Sequence, residues 1–281
     1  MSPAPLVSIV VPVRDGAGVL DQCLDALAGQ EDAPPSEVIV VDNGSHDATA
    51  ELANGHPIVD RVLLEPRPGS YAARNTGIAE AQGAVLAFTD ADCRPEGRWL
   101  AEGIAALDKG DLVGGDVVPS GSPSPTIWER YDRAQYLRQG DSVAKEGFAA
   151  TANLFVATRV IERIGPFDAG LRSGGDFDLC QRAGASGFRL VHAPAARVRH
   201  LPRSTAAGTW ALHRRLGAGW GDLARRGERP TAWRDPAMWP ALGVVTELAA
   251  QQGPRLRRRQ LLLPHGVAIT GRWLGRLTRR P

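Results

Sequence analysis

The chain has 281 residues, 43% of them hydrophobic and 23% charged, a balance that excludes a disordered or fibrous protein and suits one large domain or two small ones. Three cysteines, Cys23, Cys93 and Cys180, show no metal-like spacing; their odd count argues against a disulfide framework and for a reducing compartment. No uncharged apolar run reaches the roughly 18 residues of a membrane span, and Met1–Pro5 carries no basic n-region, so no signal peptide is read and a cytoplasmic protein is expected.

The net charge of +2 hides an asymmetry between the two ends. Residues 201–281 hold 15 Arg and four acids, a net of +11, and the other 18 bases and 27 acids leave the remainder at −9.

In chain order, Leu6–Val13 reads as a buried first strand with Pro12 near its end, where no ladder bond is lost. Arg14–Gly18 is a loop, and Val19–Ala28 has helical spacing. Glu37–Asp42 is a second strand ending in an acid; Asn43-Gly44-Ser45 turns, and a helix runs to about Asn54 with Ser45 or Asp47 as its cap. Ile58–Leu64 is a third strand, Arg67–Ser70 a loop, and Ser70 is the expected cap of a helix reaching about Ala81. Val85-Leu-Ala-Phe-Thr-Asp90-Ala91-Asp92-Cys93 is an apolar strand running into two carboxylates one residue apart, followed by Pro95. A helix from about Glu96 to Leu107 follows, and this alternation predicts a doubly wound, mostly parallel sheet.

The rhythm changes after the strand at Asp111–Val118. Ser120–Pro125 is a Pro/Ser/Gly-rich loop, Thr126–Gln139 a helix, Ala152–Val156 a strand and Arg159–Ile164 a short helix. Ser173–Arg182 opens another helix, and Phe188–Val191 and Ala196–Val198 are strands leading to His200. Beyond Ser204 the chain is expected to be helical and rich in Arg and Trp.

Open α/β sheets place ligands at the carboxyl ends of their strands, where Asp90 and Asp92 fall. Carboxylates this close repel unless a cation sits with them, and a hard ion such as Mg²⁺ or Mn²⁺ shared with substrate phosphates suits the place. A solvated turn after a strand is the alternative. Gly16-Ala-Gly18 imitates a dinucleotide loop, but Asp21 stands where the third glycine belongs and Arg14-Asp15 adds bulk at the turn.

Ser8–Asp15, Val41-Asp42-Asn43-Gly44-Ser45-His46-Asp47-Ala48-Thr49, Ala73-Arg74-Asn75-Thr76-Gly77, Asp90-Ala91-Asp92 and Gly174-Gly175-Asp176-Phe177-Asp178-Leu179 resemble, in order and spacing, the family 2 glycosyltransferases of GT-A fold. The resemblance covers about residues 6–203. It implies a nucleotide-diphosphate sugar donor, a divalent Mn²⁺ or Mg²⁺ ion and inversion at the anomeric carbon by a hexosyltransferase-type enzyme. It further implies a GT-A catalytic domain over 1–203, with a nucleotide-sugar half (1–110) and an acceptor half (111–203), and a helical extension over 204–281.

By the same resemblance Asp92 is the direct metal ligand, Asp90 meets the ribose or a metal-bound water, and Ala91 lies between them along the donor. His200 stands where many relatives carry a further metal-site histidine; a structural histidine is the other reading. Asp42 suits a base N–H such as that of uracil, making a UDP-sugar the expected donor, and Pro12, Val13, Arg14 and Asp15 form the opposite wall. Arg74 reads as a pyrophosphate or ribose contact or as a surface salt bridge, and Asn75 as a cap or backbone brace. Asp176 is the expected general base, and at a helix N-terminus it is expected to stay an easily formed anion. Asp178 is structural or acceptor-side, and Asn153 and Gly175 are placed on the acceptor side.

Three departures from the family pattern stand out. Gly175 replaces the usual Glu before the base, Arg14-Asp15 replaces an aromatic and an amide, and Asn43 replaces the second acid of the usual Asp-Asp-Gly-Ser. Two other functions compete: a sugar-nucleotide nucleotidyltransferase, for which the basic Gly-rich phosphate loop is missing, and a degenerate donor-binding relative. The acceptor, whether saccharide, lipid-linked or small molecule, is not specified. Trp210, Trp220, Trp233, Trp239 and Trp273 interleave with arginines in the basic tail, which suits the inner face of an anionic plasma membrane. Packing on the acidic first 200 residues or a homodimer contact is the alternative, and the upstream catalytic motifs argue against nucleic acid.

Overall fold

A computed structural model describes residues 7–134 and 137–227. Its elements are β1 (Val7–Val13), α1 (Leu20–Ala28), β2 (Ser36–Asp42), α2 (Thr49–Gly55), β3 (Arg61–Leu64), α3 (Ser70–Glu80), β4 (Val85–Thr89), β5 (Cys93–Pro95) and α4 (Trp99–Ala106). After a 3-10 turn come β6 (Leu112–Pro119), α5 (Ile127–Ala134), α6 (Gln139–Glu146), β7 (Asn153–Ala157), α7 (Thr158–Ile164), α8 (Gly175–Ala185), β8 (Leu190–His200) and α9 (Ala206–Arg225). The sheet order is β3-β2-β1-β4-β7-β6-β8-β5.

The expected parallel character holds for one half of the sheet. β3, β2, β1 and β4 pair in parallel, with Val13 opposite Asp42 and Val7–Val10 opposite Val85–Phe88. Pro12 lies beyond the β1–β4 ladder, so its missing N–H costs nothing on that side. β7 then runs antiparallel to β4, β6 antiparallel to β7, and β5 antiparallel to β8.

β1 and β4 are buried throughout, and apolar except for Ser8 and Thr89, because both faces are covered. α3 covers β1 and β2 closely: a Cβ on Gly77 would come within 2.5 Å of Val10. Phe88, Ile9, Ile39, Leu86 and Leu154 are fully buried, each contributing about 1.5–3 kcal/mol. Trp99 is buried too, tilted on Phe155 at 4.9 Å, and it donates its indole N–H to Asn153 Oδ1 at 2.8 Å.

Several boundaries differ from expectation for local reasons. Ser70 does not cap α3; Gly69 precedes the helix at φ +128°, a conformation other residues rarely adopt. The expected helix over 126–139 is α5, which ends by Ala134, and a separate α6 that begins at Gln139. Gln139 is buried and bonds both backbone groups of Ala150. The two short strands before His200 are one strand, β8, and β5 was not anticipated, since Cys-Arg-Pro has no strand signature of its own.

By compactness the described residues divide into 7–118, 137–170 and 175–200, which carry the sheet, and a second unit of 119–134, 171–174 and 201–227. In the second unit Arg203 N donates to Asp132 Oδ2 at 3.0 Å, and Thr126 donates to the Ser204 carbonyl at 3.2 Å. Thr205 caps α9 by accepting from Gly208 N at 3.1 Å. Asp222 on α9 pairs with Arg172 and Arg225. No helix among the described residues is long and apolar enough to cross a membrane. Trp233, Trp239, Trp273 and most of the arginines of the basic tail lie outside the described residues.

Candidate active site

The carboxyl ends of β1, β2 and β4 lie side by side, and the loops that leave them are tied together. Asp15, at φ +48°, donates its N–H to Ser45 Oγ at 2.9 Å and accepts from His46 N at 2.8 Å. Gly16 N bonds Thr49 Oγ1 at 2.8 Å, and Ala17 N bonds Asp47 Oδ2 at 3.1 Å. Pro12 and Val13 are buried, while Arg14 and Asp15 are exposed, with Arg14 Nε 3.6 Å from Asp15 Oδ2. The Asp15 carboxylate therefore holds loop backbone together, which accounts for an acid at that position.

Asp42 is buried at the tip of β2. Its Oδ1 accepts from the N–H of Ser45 at 3.0 Å and from the Ser45 hydroxyl, closing an Asx turn, and Oδ2 has no hydrogen-bond partner among the described residues. Asn43 is also buried. Its Nδ2 donates to the carbonyls of Glu65 at 2.8 Å and Arg67 at 2.7 Å, and its Oδ1 accepts from Gly69 N at 2.8 Å. An aspartate could not make either donation, so the departure from the family pattern is a structural tether of the β3–α3 loop.

Asp90 and Asp92 flank the buried Ala91 and face different partners. Asp90 Oδ1 accepts from Arg74, which is 3% exposed and so is not the surface salt bridge weighed above. The Arg74 guanidinium also stands 5.7 Å from the Tyr71 ring centroid, and its Nε has no hydrogen-bond partner among the described residues. Asp92 Oδ2 lies 3.4 Å from His200 Nε2. The β5–β8 pairing sets Cys93 opposite His200, and this brings His200 to Asp92 across a long stretch of chain.

Among the described residues, Asp92, Cys93 and His200 form a cluster whose ligand atoms lie within 4.8 Å of one another. The donor set fits one divalent ion. A carboxylate and an imidazole 3.4 Å apart approach the roughly 3 Å between adjacent ligands of an octahedral ion with bonds near 2.1 Å. Asp92 is partly open, leaving room for phosphate oxygens, whereas Cys93 is fully buried. Burial and then the charges of Asp90 and Asp92 push the Cys93 thiol well up, and a neutral thiol is a poor ligand for Mg²⁺ or Mn²⁺.

Asp176 sits in the first turn of α8, its Oδ1 accepting from Phe177 N at 3.0 Å and from the Tyr71 hydroxyl at 3.4 Å. Burial pushes its carboxyl up, outweighing the opposing backbone N–H bonds and the Arg74 charge. This reverses the expectation that a helix N-terminus alone would keep it an easily formed anion.

The remaining site candidates serve the scaffold. Asp178 is buried and accepts from Arg182 Nε at 2.9 Å; Arg182 in turn donates to the Ile164 and Pro166 carbonyls at the end of α7. Asn75 pairs with both backbone groups of Phe167, at 2.7 and 3.0 Å, and so acts as a brace. Asn153, placed on the acceptor side by sequence, is fully buried, and both its amide hydrogens go to the Asp116 and Ala196 carbonyls at 2.8 Å. That commits it to the core, a correction to the expectation. Gly175 lies against the Tyr71 ring. Tyr71 itself was missed, although its position three residues before Arg74 puts it on the same face of α3.

The family model for glycosyl transferase family 2 matches residues 8–171. Glycosyltransferase AglE of Haloferax volcanii is 40% identical over 200 residues, covering 68% of this chain and 66% of the relative. The pre-mycofactocin glycosyltransferase of Mycobacterium tuberculosis is 30% identical over 209 residues, covering 70% of this chain and 43% of the relative. The chain thus spans about two thirds of the first relative's length and under half of the second's. Among solved structures, the mannosyltransferase PcManGT from Pyrobaculum calidifontis in complex with GDP-Man and Mn²⁺ superposes with a TM-score of 0.61 at 22% identity, over 96% of this chain and 75% of that one. S. aureus TarS in complex with UDP-GlcNAc gives 0.57 at 16% identity, over 96% of this chain and 90% of that one. These two show the same fold, the GT-A fold, whose sheet in this chain is mixed.

Proposed function

This chain belongs to glycosyl transferase family 2, and from that premise we propose that it moves a sugar from a nucleotide-diphosphate sugar to an acceptor hydroxyl in one inverting displacement. One observation carries the reading. Asp90, Arg74, Tyr71 and Asp176 form a continuous line of contacts, joining the acids after β4 to the carboxylate of α8, 86 positions away in sequence.

The chain's own residues divide the work. Pro12, Val13 and Asp42 flank the base, with Asp42 Oδ2 positioned to accept a ring N–H. Uracil offers such a group at N3 and guanine at N1, so uridine and guanosine donors are both tested, with UDP-sugars as the proposed class. Arg74, held by Asp90, keeps a positive charge near the diphosphate and opposite Asp176. Asp92 and His200 would hold a Mn²⁺ or Mg²⁺ ion, which when bound supplies positive charge against the leaving diphosphate. Asp176 takes the acceptor's proton as the new bond forms, and its raised pKa makes it a stronger base than an exposed aspartate.

The first experiment is a thermal-shift screen of UDP-glucose, UDP-GlcNAc and GDP-mannose with Mn²⁺, because a donor that binds the native state raises the melting temperature. Asp176→Asn is then expected to hold donor affinity while turnover, read as nucleoside diphosphate release, falls about 10²–10⁴-fold. A variant keeping more than roughly a tenth of the wild-type rate removes Asp176 as the base. Pyrophosphate release from a nucleoside triphosphate would instead favour the nucleotidyltransferase.

A further inference from the structure

We propose that Tyr71 is a positioning residue for Asp176, and that Gly175 is glycine because the Tyr71 ring occupies the space a side chain would need. The proposal rests on the reading of Asp176 as the base, and it explains the departure at Gly175 that the family pattern left open.

Tyr71 lies in the first turn of α3, buried, with its hydroxyl 3.4 Å from Asp176 Oδ1. Its ring is held by neighbours of two kinds. Phe167 stacks on it at 5.6 Å and 24°, and Phe167 is itself fixed at both backbone groups by Asn75. The Arg74 guanidinium lies 5.7 Å from the ring centroid. The ring therefore has little freedom to move away.

A Cβ built on Gly175 meets Tyr71 Cε2 and Cζ at 2.8 Å and Cδ2 at 3.0 Å. Contacts that short require something to shift, and one of the atoms met, Cζ, bears the hydroxyl. Any side chain at 175, including the glutamate usual in relatives, displaces the phenol from Asp176. Tyr71 and Gly175 are thus a matched pair, in which the missing side chain is the room for the ring.

The chemical consequence follows from where the hydroxyl points. It donates to the same oxygen that takes the Phe177 N–H, and two donors on one oxygen fix the rotation of the carboxylate about Cβ–Cγ. The other groups that bear on Asp176 are the Arg74 guanidinium from α3, the Thr151 N–H from the turn before β7, and the Cys180 thiol one turn along α8. Arg74 acts through its charge, so among the described residues the phenol is the side chain of another helix that lies within hydrogen-bond distance of the Asp176 carboxylate.

The test uses the full chain labelled with [¹³Cγ]Asp, with the Asp176 signal assigned by its loss in Asp176→Asn. Tyr71→Phe keeps the ring, its stacking and its contact with Arg74, and removes only the donor. Its Asp176 midpoint is expected to rise by about half a unit to one unit, because a bond to the anion is lost. Its melting temperature should stay within about 2 °C of wild type. Release of UDP from UDP-glucose or GDP from GDP-mannose with Mn²⁺ should fall roughly tenfold in kcat with an unchanged donor KM. Gly175→Ala keeps the hydroxyl but displaces it, and should move both readings the same way; in the double variant the two effects should not add. A wild-type Asp176 midpoint in Tyr71→Phe, or additive effects of the two changes, overturns the proposal. Should Tyr71→Phe fail to fold, Gly175→Ala decides by the same two readings. Full turnover in Asp176→Asn would sink the functional reading instead, while the titration still judges Tyr71.

Discussion

Asn43→Asp restores the acid usual in relatives without changing side-chain size, yet the structure makes it a damaging change. Asn43 Nδ2 donates to the Glu65 carbonyl at 2.8 Å and the Arg67 carbonyl at 2.7 Å, and only its Oδ1, which accepts from Gly69 N, survives the exchange. Two donations become oxygen–oxygen contacts in a buried place. Each lost bond costs about 1 kcal/mol, and setting a buried charge against two carbonyls adds roughly 1–3 kcal/mol, for a total near 3–5 kcal/mol at neutral pH. The sign of the pH dependence follows from the same contacts. Burial and the facing carbonyls raise the new carboxyl above its unfolded value of about 4, so the folded state holds the proton longer. The penalty is therefore smallest below about pH 4, grows as pH rises through the folded pKa, and is flat above it. Urea melts of wild type and variant at pH 7.5 and pH 5 measure both quantities. A difference below about 1 kcal/mol at pH 7.5, or a larger penalty at pH 5 than at pH 7.5, refutes the tether.

In Asp92→Ala the Mn²⁺-dependent part of donor affinity should vanish in titration calorimetry with and without the ion; a variant that still binds donor more tightly with Mn²⁺ refutes the ligand assignment. Truncation after about residue 250 removes the densest basic stretch, eight arginines together with Trp273, and it should abolish co-sedimentation with anionic liposomes at low salt while neutral liposomes bind neither form. Equal pelleting of the two chains, or none with anionic lipid, leaves the tail as a protein-packing segment.

The parallel half of the sheet was legible because its signals are local. β1, β2 and β4 are short apolar runs between turn residues, and a buried parallel strand needs little else to be recognised. Asp42, Asp90 and Asp92 could be placed at the carboxyl edge for the same reason. β5 could not, because a three-residue Cys-Arg-Pro strand exists only through its pairing with β8. The approach of His200 to Asp92 depends on that pairing, so sequence could suggest the histidine by likeness and not by geometry. Asn153 misled because a polar residue in an apolar strand reads as functional. Its three bonds, to Trp99 and to the Asp116 and Ala196 carbonyls, are formed with elements distant in sequence. The raised pKa of Asp176 was hidden likewise: the helix start is visible in sequence, and the burial that outweighs it is not.

The three departures from the family pattern share a physical logic that no single position reveals. Asn43 trades an acid for two donors and thereby fixes the loop that enters α3. Asp15 turns its carboxylate to the His46 N–H and ties the loop after β1 to the loop after β2. Gly175 gives up its side chain so that the Tyr71 ring, on α3, can reach α8. Two of the three act on α3, the helix that also carries Arg74 and the brace Asn75. A rigid α3 is what links the acids after β4 to the carboxylate of α8, because Arg74 reaches Asp90 from one turn of it and Tyr71 reaches Asp176 from the turn before. Substitutions that loosen α3 should therefore disturb donor and acceptor steps together, whereas a change at Asp92 should disturb the donor step alone.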